Sequence, residues 1–111
     1  MTADLSHIDA WLFDLDNTLY PEASEVMALV SRRMTAFVMR ELELDETAAF
    51  TLQKKYLHEH GTTLSGLMAN HGVDPVVFMD EVHDISLDAL DPDPALQLAI
   101  ARLPGRRLVF T

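Results

Sequence analysis

The stretch Phe13-Asp14-Leu15-Asp16-Asn17-Thr18-Leu19-Tyr20 follows an apolar segment, Ile8 to Phe13, and decides how the rest of the chain is read. The segment suits a strand buried on both faces, as in a parallel sheet. Two carboxylates then stand at i and i+2, with a hydroxyl two positions further on. Extended backbone sends side chains i and i+2 to the same side. Where such a strand runs out into a loop, Asp14 and Asp16 share one small space. Two acids that close need a cation, a shared proton, or both. The competing reading is an acidic turn, because Asp and Asn favour turns.

Beyond the motif, Pro21 marks a loop, and Ser24 with Glu25 reads as the start of a helix. Val26, Met27, Val30, Met34, Phe37, Val38 and Leu42 recur at helical spacing and predict an amphipathic helix over 26–42, its methionines packed in a core. Asp45 caps a second helix with an apolar face of Ala48, Ala49, Leu52 and Tyr56, ending near His60 at Gly61. A polar loop and a short helix follow, closed by Gly72. Asp74-Pro75 and Asp93-Pro94 each pair a cap with proline at the first helical position, predicting helices over 75–83 and 94–102. Pro104-Gly105 is a turn, and Arg106 to Thr111 reads as a second strand. No hairpin is available between strands so far apart. A parallel pair joined through a helical insertion is the economical arrangement.

The motif resembles the first motif of the haloacid dehalogenase (HAD) superfamily, D-x-D-x-T after a hydrophobic strand, matched here by Asp14, Asp16 and Thr18. The helical segment resembles the cap that this family inserts after that motif. Leu108-Val109-Phe110-Thr111 resembles its second motif. Leu19-Tyr20-Pro21, the loop from Gly61 to Leu67, and Leu103-Pro104 look more narrowly like the pyrimidine 5'-nucleotidase-like branch. The resemblance implies an α/β fold: a HAD-like Rossmannoid parallel sheet, partly present, with an inserted four-helix cap. Residues 1–20 would carry the first strand and motif, 21–90 the cap, and 91–111 the return to the core.

The same resemblance implies a Mg2+-dependent phosphatase acting on a small phosphate monoester, such as a nucleoside 5'-monophosphate, through an aspartyl-phosphate. Asp14 would be the nucleophile and a metal ligand. Asp16 would be the acid–base residue and offer its backbone carbonyl to the metal. Thr111 would contact the phosphate, Thr18 would shape the loop, and Thr62 and Thr63 of the cap loop would select the leaving group. The residue types suit the chemistry: a metal-screened carboxylate can attack phosphorus, and Mg2+ takes few carboxylates and keeps its waters. Asp16 favours phosphoryl transfer over dehalogenation, which needs no acid for its leaving group. It does not separate phosphatase from phosphomutase. Thr62 and Thr63 can equally be helix caps at a tight turn.

The family also needs a cation near the nucleophile and a later acidic pair, which in its members follow the second motif. Lys54 and Lys55 fall on a cap helix and do not match that role. The expectation is therefore the N-terminal part of a larger enzyme, inactive alone, with strands from another copy able to cover its edges in a homo-oligomer. The alternative is a non-catalytic helical association module keeping a relic motif. A net charge of -10 argues against a nucleic-acid partner. The absence of cysteine excludes thiol chemistry and disulfides. No stretch has the length of a membrane span and no leader pattern opens the chain, so a cytosolic protein is the default. Of the five histidines, His58 and His60 stand at i and i+2 and diverge on a helix, unlike zinc ligands. The acidic tract 80–93 reads as a solvated surface without calcium-loop spacing.

Overall fold

The computed structural model describes residues 2–111. It is a mixed α/β structure of five α-helices and a two-stranded parallel sheet. In chain order the elements are β1 (Ala10–Asp14), a single 3-10 turn (Glu22–Ser24), α1 (Val26–Leu42), α2 (Glu46–His60), α3 (Thr63–His71), α4 (Pro75–Val82), α5 (Pro94–Ala101) and β2 (Arg106–Phe110). They divide into two compact units. Residues 27–86 form one; the described residues up to Val26 and those from Leu87 onward form the other. The divisions lie inside the expected limits of 21 and 90.

In the helical unit, the core is built from Val30, Phe37 and Val38 of α1, Ala49 and Tyr56 of α2, Leu67 of α3, and Phe78 and Val82 of α4. Phe37 and Phe78 meet edge to face, with centroids 5.0 Å apart and planes at 84°, the arrangement that the ring quadrupole favours. A polar group lies among these apolar ones. Buried Gln53 accepts from Thr35 Oγ1 at 2.7 Å and donates to Ser31 Oγ at 3.2 Å, so its amide is satisfied. Ala49, Gln53 and Tyr56 therefore form the buried stripe of α2, one residue round from the predicted apolar face. Met27 is exposed and not a core residue.

The cap signals work where their side chains reach the backbone. Asp45 accepts from Ala48 N at 2.7 Å, Asp74 from Val76 N at 2.9 Å, and Asp93 from Leu96 N at 3.0 Å. Ser24 does not cap α1. Its hydroxyl donates to Pro21 O at 2.7 Å, it closes the 3-10 turn, and Glu25 passes through the left-handed region before the helix begins.

In the strand unit, β1 and β2 pair in parallel with Ala10 opposite Arg106 and Asp14 opposite Phe110. Asp9 interrupts the apolar run, so the strand starts at Ala10, and the Asp9 carbonyl accepts from Arg106 N at 2.8 Å to begin the ladder. Trp11 Nε1 donates to Pro104 O at 2.7 Å and ties β1 to the turn before β2. The expected burial of both strand faces is not met: Leu12 is 67% and Phe110 71% exposed. Two strands cannot cover each other's faces.

Candidate active site

Parallel pairing sends both strands out of the sheet at the same end. Asp14 closes β1 opposite Phe110, and Thr111 is the next residue beyond that pair. The Asp14 carboxylate is exposed and accepts from Leu15 N at 2.9 Å, which holds it over the start of the loop. The loop then folds back on itself. Leu15 O accepts from Thr18 N at 3.2 Å and Leu19 N at 3.0 Å, and Asn17 takes a φ of 56°, a conformation that Asn tolerates better than most residues. Thr18 Oγ1 donates to the Asp16 carbonyl at 3.4 Å.

This winding brings Tyr20 back over Asp16. Tyr20 Oη donates to Asp16 Oδ1 at 2.5 Å. Partial burial and the Asp16 carboxylate together push the Tyr20 hydroxyl up to about 12. Leu15, Leu19 and Tyr20 also line an apolar hollow of about 800 Å³ whose other wall includes Leu96, Gln97 and Ile100 of the α5 region. Tyr20 thus stands between a hydrophobic surface and the acidic loop.

No family model matches the chain. Over 101 residues it is 33% identical to Phosphate metabolism protein 8 of Saccharomyces cerevisiae, a match covering 88% of this chain and 32% of that protein. The chain thus spans about a third of that relative's length. The similarity is thus to a protein whose name ties it to phosphate.

Asp14, Asp16, Thr18 and Thr111 all belong to the strand unit. Thr62 and Thr63 belong to the helical unit, where both hydroxyls have intramolecular partners. Thr62 caps α3, accepting from Ser65 N at 3.0 Å and donating to Ser65 Oγ at 2.8 Å. Thr63 is buried, with its hydroxyl on Gln53 O at 3.0 Å. Thr62 thus has the helix-cap role that the sequence also allowed, whereas Thr63 is not a cap: its hydroxyl ties α3 to the middle of α2. Tyr20 carries no signal of its own in the motif spacing. Its place follows only once the loop turns back over four residues.

Three histidines make local contacts: His71 Nε2 lies 2.7 Å from Tyr56 Oη, His60 Nε2 3.3 Å from Asn70 Nδ2, and His83 Nδ1 2.8 Å from Met79 O. Among the described residues, no three His, Cys, Asp or Glu side chains gather as a metal cage. Asp14 and the Asp16 carbonyl are an oxygen-only set on an exposed loop, the kind that a largely hydrated Mg2+ accepts. No helix among the described residues is long and apolar enough to cross a membrane.

Proposed function

We propose that this chain supplies the nucleophile loop of a HAD-type, Mg2+-dependent phosphatase acting on a small phosphate monoester. The observation that carries this reading is the register that sets Asp14 and Thr111 at the shared carboxyl end of a parallel pair, where open α/β sheets bind their ligands. The similarity to a phosphate-metabolism protein supports it. A nucleoside 5'-monophosphate is the finer substrate proposal, taken from the resemblance to the pyrimidine 5'-nucleotidase-like branch.

In the first half of the reaction, an Asp14 carboxylate oxygen forms a bond to phosphorus while the bond to the leaving oxygen breaks. Asp16 gives that oxygen its proton. In the second half, Asp16 takes a proton from a water whose oxygen attacks the same phosphorus, and the bond to Asp14 breaks. Phosphate leaves and both carboxylates return to their starting states. Asp14 and the Asp16 carbonyl would hold Mg2+, which when bound screens the negative charge of the phosphoryl group. Thr111 would hydrogen-bond a phosphate oxygen.

Asp14→Asn in the full-length gene product is expected to cut turnover by more than about 10^3-fold with an unchanged far-UV spectrum. Retained turnover would defeat the assignment. The exposed Leu12 and Phe110 favour a second reading, a non-catalytic association module. On that reading, adding Mg2+ and beryllium fluoride together leaves the melting temperature unchanged, whereas ligand-linked stabilisation argues for the phosphatase.

A further inference from the structure

We infer that Tyr20 is the positioning residue for the acid–base carboxylate of Asp16. The inference rests on the phosphatase reading and adds a residue to it. Asp16 sits on an exposed loop, where a lone carboxylate would turn freely between rotamers. Tyr20 Oη holds Oδ1 at 2.5 Å, the length of a charge-assisted O–H···O bond. Tyr20 is itself half-buried, at the edge of the hollow that Leu15, Leu19 and Ile100 also line. The loop that joins the two residues is closed by the bonds to Leu15 O. With Oδ1 engaged, Oδ2 is the oxygen presented for proton exchange, and its direction is set by the bond to Tyr20.

A proton donor matters in proportion to how poor the leaving group is. Tyr20→Phe keeps the ring and removes the hydroxyl. In the full-length gene product, its kcat/KM on an alkyl phosphate should fall about tenfold or more, because misplacing a catalytic group costs that much. On p-nitrophenyl phosphate, whose leaving group needs little protonation, kcat/KM, which reports only the steps up to departure of the leaving group, should stay within about twofold, while kcat falls because Asp16 also serves as the base for the water in the second half. Equal losses of kcat/KM on the two substrates would overturn the inference.

A second readout needs neither turnover nor a substitution at Tyr20. The chain has two tyrosines, Tyr20 and Tyr56, so the two Cζ resonances of 13C-labelled protein are assignable. Asp16→Asn should move the Tyr20 resonance further than Asp14→Asn, which removes only a more distant charge; an unmoved Tyr20 resonance in Asp16→Asn would overturn the contact itself. If the unmutated protein hydrolyses neither substrate, the phosphatase reading fails and the catalytic role of Tyr20 falls with it. Hydrolysis of both without the substrate split removes Tyr20 alone.

Discussion

Gly105 turns the chain into β2 with a φ of +88°, and a Cβ built on it would lie 2.2 Å from Asp9 O. That carbonyl is the one that accepts from Arg106 N to start the ladder, so it cannot retreat without loosening the sheet. Gly105→Ala combines backbone strain with a backbone clash, and is expected to destabilise the strand unit by about 1–3 kcal/mol. Trp11 is the single tryptophan and is bonded to Pro104 O, so its fluorescence reports this turn. An unshifted denaturation midpoint in Trp11 emission would contradict the argument. The turn itself was legible as Pro104-Gly105, but its crowding against Asp9 was not, because no sequence spacing reports a contact across the sheet. The candidate site divides the same way. Asp14, Asp16 and Thr18 are legible because the motif is local. Tyr20 over Asp16 and Thr63 on Gln53 O appear only when the backbone has turned.

Helix α3 packs on α2 through Gly66. A Cβ there would sit 2.3 Å from Tyr56 Cβ, close to the main chain of α2, where no rotamer change relieves the overlap. Gly66→Ala should therefore lower stability by about 1–3 kcal/mol or more, as overpacked cores do, although alanine is the better helix former. The thermal transition at 222 nm checks this, and a rise in midpoint would refute the close approach. Helix α1 is tied to α4 by Arg40, which donates through Nη1 to Glu81 Oε1 at 2.5 Å and through Nη2 to Oε2 at 2.7 Å. Arg40 holds the Glu81 carboxyl below the usual carboxylate range. A depressed folded-state value gives stability that is present above the unfolded value of 4.5 and is lost as pH falls through the folded one. Melting temperature should thus decline on acidification below about pH 4.5, and Glu81→Gln should flatten that limb; an unchanged slope would remove the pair from the account. Both partners reach solvent, so the effect is small and should shrink in salt. The helices were legible almost to the residue because Asp45, Asp74 and Asp93 each cap a helix that starts at the next residue. Ser24 failed because the Pro21 carbonyl took its hydroxyl, and buried Gln53 was missed because a polar residue on an apolar stripe reads as a surface position.

At the scale of the molecule, burial is unequally shared. Every member of the hydrophobic core cluster lies in the helical unit. The strand unit leaves Leu12, Val109 and Phe110 open to solvent and joins its two strands by a single ladder, and a lone pair of strands is marginal in water. Hydrophobic burial is the dominant favourable term in folding, so stability should follow the helical unit. A peptide of residues 26–86 is expected to fold by itself, since 60-residue domains can bury enough surface to do so and the Gln53 network and the Arg40–Glu81 pair lie wholly within it. Its melting curve at 222 nm should be cooperative and within a few degrees of that of the 111-residue chain. In the whole chain, Trp11 emission should change at lower denaturant than the helical signal, and limited proteolysis should cut first outside residues 27–86. A single coincident transition for both probes, together with an unfolded 26–86 peptide, would mean that the sheet is part of the cooperative core. It would also mean that the exposed strand faces cost the fold far less than their open area implies.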